Sequence, residues 1–259
     1  MIDHQIENLI LYLQTLPSEF ASLLTFLVCI VMIIGACRYG YAGLWVYSAL
    51  AVVVANIQVL RLGIYWSTPE PIALGTVLFA TTFLASDIIT EHFGPKAARQ
   101  SITISFAAQL VVSLWMILCL AHPGIKEIHQ EDIYKSLFIV FLPSARFFIS
   151  SLIAYIISQH IDILIYQWIK NKTNGRHLWL RQNISTFISG LIDNFLFSIL
   201  AWIVFNPEPL TLYSVIISYV LAGYIVRFII NILGTPILYL SYRFIRPSYK
   251  DKANNITFR

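Results

Sequence analysis

The sequence predicts an all-α fold, a polytopic bundle of membrane-spanning helices. Of its 259 residues, 58% are hydrophobic and only 12% are charged, whereas soluble domains carry roughly 25% charged residues. Apolar runs long enough to cross a bilayer, each about 17–25 residues, recur from Phe20 to near the end of the chain with short polar breaks between them. The composition therefore excludes a soluble globular domain.

Seven apolar runs are the predicted membrane spans. They cover residues 20–37, 42–60, 72–90, 100–121, 137–168, 184–205 and 210–242. The fifth and seventh runs exceed the roughly 20 residues that a span needs. Pro143 in the fifth and residues 234–236 (Gly-Thr-Pro) in the seventh are the expected kinks, because proline removes a helix hydrogen bond.

The first residues predict a short helix lying at the membrane interface. Apolar residues recur there at helical spacing up to Pro17: Ile2, Ile6, Leu9, Leu13 and Leu16. Asp3 and Glu7 stand where a cleavable signal peptide has basic residues. We expect this segment to be an anchor.

The distribution of Lys and Arg predicts the orientation. The basic residues collect in alternate breaks between spans, and such residues favour the cytoplasmic side. They are Arg38; Lys96 and Arg99; Lys170, Lys172, Arg176 and Arg181; and Arg243, Arg246, Lys250 and Lys252. We expect a bacterial inner-membrane protein with its C-terminus cytoplasmic and its N-terminus outside. The net charge of +4 follows this topology, and a nucleic acid is not an expected partner.

Six ionisable residues lie in or at the ends of the spans, where a charge costs at least about 2.5–3.5 kcal/mol unless a partner or a water-filled cavity receives it. They are Asp87, Glu91, Arg146, Asp162, Asp193 and Arg227. Taken singly, each is explained equally well as a helix-end residue or a member of an internal ion pair. Together they indicate a shared polar site.

Asp87 and Glu91 share one face of the third span, at its cytoplasmic end. Gly94 is the expected end of that helix, and Pro95 the start of the next. In the fifth span a continuous polar stripe contains Gln159 and Asp162. Its members are Ser151, Tyr155, Ser158, Gln159 and Asp162. Arg146 lies off this stripe.

The sixth and seventh spans each have a face with small, polar and aromatic residues. These faces contain Asn183, Thr186, Gly190, Asp193, Asn194 and Phe197 in the sixth span, and Gly223, Tyr224, Arg227, Asn231 and Gly234 in the seventh. They indicate either a helix–helix contact or, as we favour, a ligand surface, with Arg227 as counter-ion of an acid. Asn56 in the second span is explained equally well by an interhelical hydrogen bond and by a ligand contact.

The chemistry of these residues favours a flat, polar solute. Four acids, two arginines, several amides and nearby aromatic rings suit a nucleobase-like heterocycle that donates hydrogen bonds, since a carboxylate accepts two parallel N–H bonds. The cysteines, Cys29, Cys37 and Cys119, lack the paired spacing of a metal or redox site. Neither a cofactor nor a metal is expected.

Three segments carry a resemblance to a known family. They are residues 86–99 (SDIITEHFGPKAAR), Arg146 with residues 158–162 (SQHID), and residues 179–186 (WLRQNIST) with Asp193. Together they resemble the queuosine precursor transporter family, also called the vitamin uptake transporter family. The resemblance covers about residues 42–245.

The resemblance implies a six-helix core and import of 7-deazaguanine compounds for the queuosine modification of tRNA. The site residues that it implies are Asp87, Glu91, Arg146, Gln159, Asp162, Asp193 and Arg227. This chain departs from the family by one further span. We therefore divide it into an interfacial segment (1–19), an extra transmembrane helix and loop (20–41), the core (42–245) and a basic tail (246–259).

Two other classes of protein share some of these features. A substrate-binding subunit of an energised vitamin importer also has a six-helix core, but it would need a separate ATPase because this chain has no Walker motif. An intramembrane enzyme is disfavoured, since the sequence lacks the His-Glu-x-x-His and Gly-x-Ser-x-Gly patterns. The lipid bilayer and a small-molecule substrate are the expected partners, and self-association into a homo-oligomer stays open.

Overall fold

The computed structural model describes residues 2–65, 71–123, 128–141 and 145–246. Within these ranges it describes the backbone alone at 2–3, 128–130, 145–146, 217–219 and 222. Pro143, Lys250 and Lys252 of the sequence predictions lie outside the described residues, and so does the side chain of Arg146.

The fold is all-α, as predicted, apart from one small hairpin. The helices are α1 (Ile2–Gln14), α2 (Ser18–Cys37), α3 (Gly40–Gln58), α4 (Thr76–Ala121), α5 (Ile128–Phe141), α6 (Ala145–Lys172), α7 (Leu178–Ile199), α8 (Leu212–Ser214) and α9 (Ala222–Phe244). π-Helical segments follow α7 at Leu200–Val204 and α8 at Val215–Leu221. Strands β1 (Leu62–Gly63) and β2 (Ile72–Ala73) pair antiparallel between α3 and α4.

Six of the described helices are long and apolar enough to cross a membrane. Of these, α4 has 46 residues, which at 1.5 Å per residue is about 69 Å, roughly twice the hydrocarbon thickness of a bilayer. It is broken at Gly94, whose φ of 86° and ψ of 169° are not helical, and Pro95 begins the second half. The predicted end of the third span at Gly94 is confirmed, and the two halves of α4 are together long enough for two crossings.

The predicted spans differ from the helices mainly at their ends. The fifth predicted span, 137–168, covers the end of α5 and most of α6, and the kink expected at Pro143 lies outside the described residues. The seventh span, 210–242, corresponds to a run that is helical from Leu212 to Phe244, in which a π-helical segment lies between α8 and α9. Pro236 lies inside α9, which continues to Phe244. The interfacial helix is present as α1, and its place at the membrane surface stays a prediction.

The first half of α4 is the centre of the bundle. Every residue from Val77 to Thr90 is buried, because α2, α3, α6 and α9 pack around this helix, and α7 packs on α6 and α9. Contacts from Thr82 to Gln159 and from Glu91 to Tyr166 show that α4 and α6 run in the same direction. Large apolar side chains cover the outside. The polar residues therefore lie inside, as a lipid environment requires.

Candidate functional site

Asp193 on α7 and Arg227 on α9 form an ion pair between Oδ2 and Nη1. The other carboxylate oxygen, Oδ1, accepts a hydrogen bond of 2.8 Å from Ser158 Oγ on α6. Only 7% of the Asp193 side chain and 11% of the Arg227 side chain are exposed. The prediction that Arg227 is the counter-ion of an acid is confirmed, and the pair joins three helices at one point.

A cavity of about 80 Å³ lies beside this ion pair, between the hairpin, α4, α6, α7 and α9. Its polar wall is formed by Ser151, Asp193, Asn194, Ser198 and Arg227, and its aromatic wall by Phe79, Phe197 and Trp202. Small-molecule sites usually measure about 300–1,000 Å³. In this conformation the cavity is therefore too narrow for a bicyclic ligand, and the helices around it must separate to admit one.

Unused hydrogen-bonding capacity remains at the cavity. Arg227 Nε is buried and has no hydrogen-bond partner among the described residues. A carboxylate offers about four acceptor positions, and the hydrogen bonds of Asp193 with the described residues use two of them, from Ser158 and Arg227. The wall of the cavity can thus both donate to a carbonyl oxygen and accept from N–H groups.

Asn194 is also held at this cavity, by a backbone contact. Its Nδ2 donates to Val220 O at 3.1 Å, and Gly223 of α9 lies so close that a Cβ there would be 3.0 Å from the same nitrogen. Within the described part of the chain, the side-chain oxygen of Asn194 has no such backbone bond. Gly223 thus provides the space that Asn194 occupies.

A second, smaller cavity of about 20 Å³ lies on the other side of Arg227. Aromatic rings line it together with Thr186 and Gly190, and they are Phe83, Phe187, Tyr224 and Phe228. Phe187 stands edge-on to Tyr224 and Phe228, with ring centroids 5.1 and 5.4 Å apart. Arg227 therefore lines both cavities.

Asp87 on α4 and Asp162 on α6 lie next to each other at the centre of the bundle. They lie about one helical turn from the level at which Asp193 of α7 contacts α6. Both are completely buried, and their carboxyl groups are close enough to interact. Asp87 Oδ2 accepts from Thr186 Oγ1 at 3.1 Å, and Asp162 Oδ1 accepts from Ser189 Oγ at 2.8 Å. The remaining oxygens, Asp87 Oδ1 and Asp162 Oδ2, have no donor among the described residues.

Gln159 lies one turn before Asp162 on α6 and is also completely buried. Its Nε2 donates to Thr82 Oγ1 at 3.1 Å, while its Oε1 has no hydrogen-bond donor within the described ranges. Its amide connects α6 to α4, so the predicted stripe of α6 faces the central helix.

Glu91 belongs to a separate ion-pair network at the far end of the bundle. Arg181 Nη2 and Lys170 Nζ lie 2.7 and 3.1 Å from its Oε2. Tyr166 and Tyr242 also donate to this carboxylate, at 2.9 and 2.5 Å. Because these partners come from α6, α7 and α9, the network joins four helices, and Glu91 does not line the cavity at Asp193.

Two further groups of amides connect helices. Asn183 Nδ2 donates to Thr235 Oγ1 at 2.9 Å, and Gln182 Nε2 donates to Asn231 Oδ1 at 2.6 Å, which joins α7 to α9. Asn56 accepts from Ser151 Oγ at 2.5 Å and donates to Gln109 Oε1 at 3.3 Å. The interhelical explanation of Asn56 is therefore the one that these contacts favour.

Comparison with known proteins identifies the family. Residues 73–241 match the family model described as "Putative vitamin uptake transporter". The "Probable queuosine precursor transporter" of Bacillus subtilis (strain 168) is 31% identical over 210 residues, which cover 80% of this chain and 86% of that protein. This chain belongs to the vitamin uptake transporter family. No solved structure matches it.

The chain is thus a multi-pass membrane transporter, and the region that matches the family contains every predicted site residue except Asn56. The structure brings Asp193, Asn194 and Arg227 to one cavity and Asp87, Gln159 and Asp162 to the centre. It separates Glu91 and Asn183 from that cavity. Arg146 begins α6, and its side chain lies outside the described part of the structure.

Several residues of this transporter's polar interior were missed at the sequence level. Arg181 was counted as a basic loop residue, yet only 2% of its side chain is exposed. The serines that donate to Asp162 and Asp193 could have been predicted from a pattern in the sequence. A serine precedes an aspartate by four residues in both α6 (Ser158, Asp162) and α7 (Ser189, Asp193). In the structure each serine donates to the aspartate of the other helix.

Proposed function

We propose that this transporter imports queuosine precursors, the 7-deazaguanines 7-cyano-7-deazaguanine, 7-aminomethyl-7-deazaguanine or queuine, for tRNA modification. The observation that carries the proposal is the cavity wall formed by Asp193, Asn194 and Arg227. The relative from Bacillus subtilis, which bears the name of such a transporter, supports the same substrate class.

The donor and acceptor pattern of a deazaguanine suits this wall. Its pyrimidine edge carries two adjacent N–H donors beside a carbonyl oxygen. Asp193 keeps acceptor capacity for the N–H groups, and the unpartnered Nε of Arg227 can donate to the carbonyl. Phe79, Phe197 and Trp202 are available to cover the ring face. Asp87 and Glu91 do not line this cavity, so we assign the base to Asp193 alone among the acids.

Import by alternating access accounts for the narrow cavity. The ion pairs at Asp193 and at Glu91 lie at two levels of the same four helices. We propose that the level at Glu91 is the cytoplasmic gate, closed in this conformation, and that its ion pairs break when the cavity opens inward. The proposal includes a location in the bacterial inner membrane with the C-terminus cytoplasmic, which the alternate basic breaks of the sequence support. The core at 42–245, preceded by the extra span at 20–41, is part of the same proposal.

The test uses a bacterial strain that cannot synthesise queuosine precursors and lacks its own importer. The strain carries this gene or an empty vector and receives each 7-deazaguanine at nanomolar to micromolar concentration, and its tRNA is assayed for queuosine. We expect queuosine only with the gene. Absence of queuosine with every precursor, while the protein is present in the membrane, would contradict the proposal.

A further inference from the structure

The buried acids of the bundle differ in whether they form an ion pair with a basic side chain. Glu91 is paired with Lys170 and Arg181, and Asp193 with Arg227. Across the described ranges, neither Asp87 nor Asp162 forms an ion pair with a basic side chain, although both are completely buried. Two adjacent carboxylates inside a membrane protein repel each other and lose their hydration. Their place in the bundle therefore requires a positive charge.

The hydrogen bonds around Asp87 and Asp162 reach only one oxygen of each carboxyl group. Thr186 and Ser189 satisfy one oxygen of each carboxyl group. The other two oxygens, Asp87 Oδ1 and Asp162 Oδ2, are buried acceptors without a donor among the described residues. Two neighbouring carboxyl groups, each with one free oxygen, can share one proton, which forms a covalent O–H bond to one oxygen and a hydrogen bond to the other.

The surrounding charged and titratable groups do not supply that proton. On α4 Glu91 is neutralised by its ion pairs, on α6 Tyr166 donates to Glu91, and on α9 Arg227 is bonded to Asp193 of α7. The neighbours from α7, Ser185, Thr186 and Ser189, are hydroxyl groups. Gln159, one turn away on α6, offers a further buried acceptor without a donor.

We propose that Asp87 and Asp162 form a proton-binding site, and that loading and release of its proton drive the transport cycle. The site is connected to the substrate cavity by the two crossed serine–aspartate bonds. Ser189 donates to Asp162, and one turn further Ser158 donates to Asp193. A change of charge at Asp162 thus alters the same α6–α7 contact that holds Asp193 at the cavity. The coupling to import rests on the proposed function, whereas the proton site does not.

The proton site is tested by infrared difference spectroscopy of the purified, lipid-reconstituted protein, without any substrate. Protonated carboxyl groups have a carbonyl band distinct from that of carboxylates, and isotope labelling of aspartate assigns the band to Asp. We expect an aspartic acid band at neutral pH in the native protein. Asp87→Asn and Asp162→Asn should each abolish it, because an amide N–H then takes the place of the shared proton.

The matched control is Asp132→Asn, which changes an exposed aspartate of α5 and should leave the band in place. No aspartic acid band in the native protein, or a band that persists in either buried variant, overturns the proposal. The native measurement alone suffices if a variant fails to fold.

The coupling is tested separately, with native protein in proteoliposomes and labelled 7-cyano-7-deazaguanine. We expect an imposed proton gradient to drive accumulation and a sodium gradient of equal size to have no effect. Accumulation driven by sodium alone overturns the coupling. If no 7-deazaguanine is taken up under any gradient, the proposed function fails, and the infrared result still decides the proton site.

Discussion

Arg227 Nη1 bonds to Asp193 Oδ2 across the interface of α9 and α7, in a part of the bundle where both side chains are almost fully buried. Removing one member of a buried pair leaves an uncompensated charge, which is strongly destabilising, at about 3–5 kcal/mol. Removing both members leaves no charge behind. Single and double variants can therefore distinguish the effect of the pair on stability from its effect on transport.

Asp193→Asn and Arg227→Gln should each lower the thermal stability of the purified protein markedly, whereas the double variant should be more stable than either single variant. All three should lose uptake of 7-deazaguanines. Unfolding temperatures in detergent, combined as a double-mutant cycle, measure the coupling. Strictly additive losses in the double variant would show that the two side chains do not act as a pair.

Arg181 should contribute more to stability than Lys170, although both contact the same oxygen of Glu91. Arg181 is 2% exposed and Lys170 26% exposed. Arg181 also donates to the carbonyl oxygens of Gly175 and Arg176 and lies over the ring of Tyr166. We expect Arg181→Gln to cost about 3–5 kcal/mol and Lys170→Gln about 1 kcal/mol or less.

Thermal unfolding of the two variants, measured side by side under the same conditions, checks this order. Equal losses would mean that burial does not distinguish the two ion pairs.

The polar interior was predictable only in part. Helical phase correctly placed Gln159, Asp162 and Asp193 on inward faces, because an acid in a span must avoid lipid. Phase within one helix does not reveal partners on other helices. It placed Asp87 and Glu91 on one face, yet Asp87 lies against Asp162, whereas Glu91 pairs with Arg181, 90 residues later in the chain.

The helix boundaries were also predicted only in part. Gly94-Pro95 is a local signal, and the break there was predicted. The kink expected at Pro143 stays a prediction, because residues 142–144 lie outside the described residues, and continuous hydropathy from 137 to 168 does not distinguish one long helix from two that meet in an apolar setting. No feature of the sequence predicted the π-helical segment before α9.

Gly223→Ala should weaken substrate binding without unfolding the protein. The new Cβ would lie 3.0 Å from Asn194 Nδ2, so the amide must move away from the cavity and from Val220 O. Loss of a well-placed hydrogen bond of about 1.4 kcal/mol corresponds to a tenfold weaker affinity. We expect KM for uptake to rise about tenfold with little change in kcat.

Gly35→Ala is the matched control, since a Cβ at Gly35 of α2 meets no atom within 4 Å and alanine favours a helix. Its KM should equal that of the native protein. An unchanged KM in Gly223→Ala would remove Asn194 from the binding wall.

The orientation can be checked with reporter fusions. Because the basic residues collect in alternate breaks, a fluorescent protein fused after Arg246 should fold in the cytoplasm and fluoresce. Alkaline phosphatase at the same point should be inactive and, fused after Glu208 between α7 and α9, active. The opposite pattern would invert the topology and with it the assignment of Glu91 to the cytoplasmic gate.

The most direct measurement is uptake by the purified chain alone in proteoliposomes, with labelled 7-cyano-7-deazaguanine, 7-aminomethyl-7-deazaguanine and queuine. We expect saturable uptake of at least one of them, competed by the unlabelled compound and absent with Asp193→Asn. Uptake that requires an added ATPase would instead indicate a subunit of an energised importer. No uptake of any of the three by folded, inserted protein would contradict the proposed function.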